Sequence, residues 1–327
     1  MEYRMFGRTG MRVSVLGLGC GGFGGVGSAP ELFGKGEDKQ TAFALMNRAW
    51  DEGINYFDTA DSYGGGVSET IIGAWLKERK LRDQLILSTK VGYAVAAGPN
   101  DQGLSRRHIV QAIDGSLRRL QTDYIDLYVT MEPDPQTPVG ETLQTMNDLM
   151  HAGKVRHLGA SNVTAQQLRD SLGESDRLGV HRYQSVQNGY SLLERAVEDD
   201  VLPLAAKERM AVTPFSPTSG GLLTGKYRHG EKPPPGSRVE LRPQPYQHLM
   251  TARTFHAIDA LRAAAAERGV DTGALALAWV ISHPAVTSAL IGPRTVEHFR
   301  PWLEAVDIHL TKDEREALVS GMEAAVA

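Results

Sequence analysis

Eight short apolar runs, separated by stretches of helical periodicity, recur along almost the whole chain, and this alternation constrains the fold more than any other feature. The runs lie at 15–19, 54–57, 85–89, 125–131, 155–160, 183–187, 211–215 and 287–291. Between them, Ala42, Leu45, Met46, Ala49 and Trp50 share one helical face, with Gly53 placed to stop the helix. Ile109, Ala112, Ile113, Ser116, Leu117 and Leu120 repeat that spacing behind Ser105, and Thr164-Ala-Gln-Gln167 reads as a capping box. Strands that alternate with helices build parallel sheets, because each parallel neighbour needs a crossover. Eight of them favour a single α/β domain, a closed (β/α)8 barrel, over a doubly wound sheet. No internal repeat or shift in composition divides residues 1–327, so one domain is expected.

Three segments break the rhythm. Residues 3–13, with the turn Gly7-Arg-Thr-Gly10, read as an N-terminal β-hairpin that plugs one barrel end. Residues 20–38 form a glycine-rich loop after the first strand, and residues 217–250 form a long segment with Lys232-Pro-Pro-Pro-Gly236 and several basic groups. Loops this long in a compact domain are usually functional, and the second is expected to be a lid over a cofactor or substrate.

In a barrel of parallel strands, the C-terminal strand ends converge on the face that carries the chemistry. Asp58 follows the second apolar run, Tyr63 lies five residues later, and Lys90 ends the third. An ammonium beside a phenol stabilises phenolate, and a carboxylate keeps the ammonium charged and oriented. Such a group of three transfers a proton. The chain carries 35 Lys and Arg against 39 Asp and Glu, a net charge of −4, which gives no reason to expect nucleic acid or an anionic membrane as partner. Cys20 is the only cysteine, which fits a reducing, cytoplasmic setting. The start of the chain lacks the apolar core of a signal peptide, and no apolar run approaches the ~20 residues of a membrane span. No His, Cys, Asp and Glu cluster has metal-ligand spacing, so no metal is expected.

Several longer motifs resemble the aldo-keto reductases over nearly the whole length. They include Gly53-Ile-Asn-Tyr-Phe-Asp-Thr-Ala60, Asp123-Tyr-Ile-Asp-Leu-Tyr128, Gly153-Lys-Val-Arg-His-Leu-Gly-Ala-Ser-Asn162 and Gly221-Leu-Leu-Thr-Gly-Lys-Tyr227. The resemblance implies a TIM barrel that binds NADP(H) without a Rossmann domain. The run Gly17-Leu-Gly-Cys-Gly-Gly-Phe-Gly-Gly25 is then a tight loop near the pocket and no dinucleotide fingerprint. It also implies hydride transfer between nicotinamide and a small carbonyl, alcohol or sugar-like substrate. Of the family's Asp, Tyr, Lys and His tetrad, Asp58, Tyr63 and Lys90 carry over, with Tyr63 as the proton donor or acceptor.

The fourth position departs, because matches on both sides place Met131 where the family has histidine. A thioether cannot donate a hydrogen bond to a substrate oxygen. Four readings stay open at this point. The substrate or another side chain supplies the donor; the redox chemistry is different, such as reduction of a conjugated C=C bond or oxidation and epimerisation of a sugar; the protein is a weakly active NADPH-binding regulator; or the methionine is an introduced change. Strand alternation would turn the neighbouring Glu132 away from the barrel interior.

For the cofactor, the resemblance implies Ser161, Asn162 and Gln187 at the nicotinamide carboxamide and Phe215 in place of a stacking tyrosine. Ser216, Gly221, Leu223 and Lys226 would clasp the pyrophosphate. Gly292, Arg294 and His298 would meet the adenosine end, where Arg294 favours a 2′-phosphate through a bidentate contact. Trp302 stands where the family commonly has an adenine-contacting asparagine, and it cannot reproduce the paired contacts of an amide.

Overall fold

The computed structural model describes residues 1–325. The chain opens with an antiparallel hairpin, β1 (Tyr3–Met5) and β2 (Arg12–Ser14). Eight parallel strands follow: β3 (Leu16–Gly19), β4 (Tyr56–Asp58), β5 (Ile86–Val91), β6 (Ile125–Thr130), β7 (Val155–Ser161), β8 (Ser185–Gln187), β9 (Ala211–Val212) and β10 (Ala289–Ile291). They pair in chain order from β3 to β9, and β10 lies beside β3. Between the last two strands, Thr287 N–H and Leu290 N–H donate to Val212 O and Pro214 O at 2.8 and 2.9 Å. Those bonds close the sheet on itself, and the result is the α/β barrel that the alternation predicts.

Each apolar run of the sequence overlaps one observed strand, but the ends differ: β5 and β7 extend past their runs, whereas β8, β10 and above all β9 fall short. The 211–215 run shows why. Pro214 has no N–H to give to a ladder, so regular pairing stops at Val212 and resumes only as a bridge between Phe215 and Gly189.

Six helices follow strands β3 to β8 in turn: α1 (Lys39–Asp51), α2 (Val67–Arg79), α3 (Arg106–Leu120), α4 (Val139–His151), α5 (Ala165–Leu178) and α6 (Val201–Lys207). Between β9 and β10 come α7 (Arg238–Leu241), α8 (Ala252–Arg268) and α9 (Thr272–Ile281), and α10 (Phe299–Asp307) and α11 (Lys312–Ala324) complete the described chain. The expected caps form. Ser105 Oγ accepts from His108 N–H at 3.3 Å, and Thr164 and Gln167 bond each other reciprocally at the start of α5. The 217–250 segment is less irregular than its composition suggests. It contains α7 and two 3-10 stretches, Ser219–Thr224 and Gln244–Leu249.

Side-chain alternation sorts the strands' residues into two layers. Tyr56, Leu127, Val129 and Leu290 form a small inner cluster with Ala211, Val13 and Phe6, whereas Phe57, Tyr128 and Ile291 join the larger core beneath the helices. Phe6, at the hairpin turn, meets Tyr56 edge-on at 5.9 Å. The hairpin therefore seals one barrel end, and chemistry is left to the other.

Candidate active site

Asp58 is the last residue of β4, and Lys90 is the fifth of the six residues of β5. Parallel pairing sets these strand ends side by side. The Lys90 ammonium donates to Asp58 Oδ1 and, at 2.8 Å, to the Thr59 carbonyl. Lys90 is fully buried and Asp58 only 2% exposed, so neither charge has water to lean on. Gln187, at the end of β8, donates to the second Asp58 oxygen at 3.1 Å. Burial by itself pushes Lys90 towards the neutral amine. The Asp58 carboxylate, with the neighbouring Tyr63 side chain, outweighs it, so Lys90 holds its proton more tightly than an ordinary lysine.

Tyr63 starts a short turn after β4, with its ring centroid 5.1 Å from the Lys90 nitrogen. Three glycines follow it at positive φ, and a side chain at Gly64 would press on the Phe23 carbonyl at 2.9 Å. Only glycine satisfies both constraints, and the turn they allow holds Tyr63 over the strand ends.

These groups lie at one end of a cavity of about 450 Å³. Asp58, Tyr63, Gln187, Phe215 and Ser216 line it near the strand ends. Gly221, Lys226, Gly292, Arg294 and His298 line it further out, together with Trp302 of α10. Ser216 and Asn162 both hold left-handed backbone, at φ 55° and 56°. Serine tolerates that region poorly, and such strain persists where the surroundings enforce it.

Besides the fully buried Lys90, four expected residues sit outside the lining. Ser161 is fully buried and its hydroxyl donates to the Gln187 carbonyl at 2.7 Å. Asn162 Nδ2 donates to the Met131 carbonyl at 2.8 Å. Met131 follows β6 directly, is 4% exposed, and gives its N–H to Val91 O at 2.8 Å. Leu223 is fully buried in the apolar core, with its N–H bonded to Thr218 O, so neither its side chain nor its amide faces the cavity. Glu132 is exposed and accepts from Tyr93 at 3.2 Å, just beyond the ends of β6 and β5.

At the outer end, charge is concentrated and partly buried. Burial and the Arg294 charge lower the Lys226 pKa, and burial with Lys226 and Arg294 keeps His298 neutral to lower pH than usual. Arg294 N–H donates to His298 Nδ1 at 3.1 Å, which leaves the ring proton on Nε2. One functional group escaped the sequence reading. Glu37, 6% exposed, lines the same cavity and pairs with Arg294 Nε at 2.7 Å. Nothing in its local sequence marks it, since an acid in a glycine-rich loop reads as a solvated charge.

Among the described residues, no three His, Cys, Asp or Glu side chains group to hold a metal ion, and no helix is long and apolar enough to cross a membrane. Residues 15–321 match the model of the aldo/keto reductase family. An uncharacterized oxidoreductase of Bacillus subtilis, YrpG, is 38% identical over 96% of this chain and 93% of its own. The aldo-keto reductase YhdN of the same organism is 35% identical, over 90% and 85%. A probable voltage-gated potassium channel subunit beta of Oryza sativa is also 35% identical, over 94% and 92%. A barrel with an acid, a phenol and an amine at its open end, and this extent of similarity, lead to one conclusion: the chain belongs to the aldo/keto reductase family of oxidoreductases.

Proposed function

We propose that the protein is an NADP(H)-dependent oxidoreductase that interconverts a carbonyl and an alcohol, with Tyr63 as general acid and base. The observation that carries this reading is the buried Asp58–Lys90 pair beside the Tyr63 ring at the inner end of the cavity. A regulatory binding site has no need of a buried ammonium held against a phenol.

The cavity and the polar groups beside Asp58 suit a nicotinamide dinucleotide. Amide and hydroxyl groups of Asn162, Gln187 and Ser161 cluster near Asp58, while Lys226 and Arg294 supply cations at the other end. Trp302 adds a buried indole N–H that has no partner among the described residues. When bound, the cofactor supplies or accepts hydride at the substrate carbon. In the reducing direction, Tyr63 gives its phenolic proton to the substrate oxygen. Lys90 stabilises the resulting phenolate, and Asp58 keeps Lys90 charged. Phe215 offers the cofactor ring an aromatic face. Arg294 favours a 2′-phosphate.

Met131 supplies no second donor to the substrate oxygen, which favours substrates that bring their own hydrogen-bonding groups, such as hydroxy-carbonyls or sugars. A second reading, a weakly active NADPH-binding regulator, is favoured by relatives named as channel beta subunits. One experiment separates the two. NADPH oxidation is followed by its reduced-nicotinamide absorbance against a panel of aldehydes, ketones, enones and sugars, for wild type and Tyr63→Phe. Oxidation with at least one class, lowered in Tyr63→Phe by about 10²–10⁴ with NADPH affinity retained, is expected. Equal rates in the two proteins would remove Tyr63 from the mechanism. Tight binding without oxidation across the panel would favour the regulator.

A further inference from the structure

We infer that Glu37 sets the balance between 2′-phosphorylated and unphosphorylated adenosine cofactors at the outer end of the cavity. The inference rests on the proposed nicotinamide cofactor and adds a residue to it.

Glu37 is held in place by the surrounding backbone. Its N–H donates to Gly22 O at 2.8 Å, and its carbonyl accepts from Gly24 N–H at 2.8 Å. A Cβ at position 22 would overlap the Glu37 carboxylate, and one at position 36 would overlap the Gly22 and Gly25 carbonyls. Part of the glycine-rich run is thus a cradle for one carboxylate. The side chain is 4% exposed, and Arg294 is its ion-pair partner among the described residues. Burial raises the Glu37 pKa, with Arg294 pulling the other way. A buried acid of this kind depends on the cation that faces it.

That cation is the group proposed to read the 2′-phosphate. Arg294 Nε is bonded to Glu37 and its Nη1 to the carbonyl of Gly236, so two of its five N–H donors are already in use. A phosphate monoester carries about −1.5 to −2 charges at neutral pH. It must compete with Glu37 for Arg294, against like-charge repulsion in a partly dehydrated site. A 2′-hydroxyl is neutral and donates to a carboxylate, and it leaves the pair undisturbed. In Rossmann-type dinucleotide sites, an acid reads the hydroxyl and an arginine accommodates the phosphate. Here the two are joined in one ion pair. The chain therefore accepts both forms of cofactor with a narrow margin, and Glu37 is what narrows it.

The test is equilibrium binding of NADPH, NADH, 2′,5′-ADP and 5′-AMP, read by quenching of tryptophan fluorescence. Wild type and Glu37→Gln are compared, with Glu37→Ala as a second variant. Thermal unfolding checks that each is folded. Loss of the carboxylate is expected to tighten NADPH and 2′,5′-ADP by about tenfold or more, with NADH and 5′-AMP unchanged or weakened. The inference is overturned if all four ligands change alike, if none changes, or if both variants fail to fold, because each result makes Glu37 structural or irrelevant. Wild type that binds none of the four would instead remove the proposed cofactor, and this inference with it.

Discussion

Methionine in the place of a hydrogen-bond donor has a consequence that a single substitution measures. Met131 lies at the mouth of β6, where its carbonyl anchors Asn162 and its thioether donates nothing. Loss of a preorganised donor beside a reacting oxygen typically costs about 10²–10³ in rate. Met131→His is therefore expected to raise reduction of simple aldehydes on the order of 10²-fold, measured as kcat/KM. The Asn162–Met131 contact uses main-chain oxygen and survives the change. A variant no faster than wild type would mean that residue 131, which lies outside the cavity lining, cannot bring a ring to the substrate. At this scale the sequence was informative about Asp58, Tyr63 and Lys90, because strand-end positions fix where side chains go. It was silent on Glu37, whose role depends on a partner 257 residues away.

Elements were legible in proportion to their periodicity. The helices behind Ser105 and Thr164 announce themselves by caps and apolar spacing, and they form with those caps. Strand ends were less legible, because pairing ends where an N–H is missing or redirected. The seam between β9 and β10 is the clearest case. β9 has only two residues, and its Val212 N–H donates at 3.1 Å to the Thr287 hydroxyl instead of a carbonyl. Thr287 N–H returns to Val212 O at 2.8 Å. A side chain thus completes a ladder that backbone alone leaves open. Thr287→Val keeps the shape and strands the buried Val212 N–H. It is expected to lower stability by about 1–3 kcal/mol, seen as a reduced urea midpoint at unchanged m-value. An unchanged midpoint would show that another acceptor serves Val212.

Across the whole molecule, stability is tied to pH through a carboxyl that takes no part in the proposed chemistry. Asp61 follows the end of β4, is 1% exposed, and among the described residues neither of its oxygens meets a hydrogen-bond partner beyond the pull of the Ser62 amide. Its neighbour Glu69 is fully buried too, but Arg119 and Thr89 donate to it at 2.7 and 2.6 Å. Burial, and then the Glu69 charge, raise the Asp61 pKa well above the ordinary carboxylate range, against the opposing charge of Arg119. In the unfolded chain an aspartate releases its proton near pH ~3.9, while folded Asp61 keeps it well above that. Between those two values the native state binds more protons, so this group's contribution to stability falls as pH rises. Asp61→Asn, neutral throughout, removes that slope. Melting temperatures of the two proteins, taken from mildly acid to neutral pH, should diverge steadily in favour of the variant. Parallel curves would mean that native Asp61 ionises at an ordinary pH, and that a cation or water compensates it.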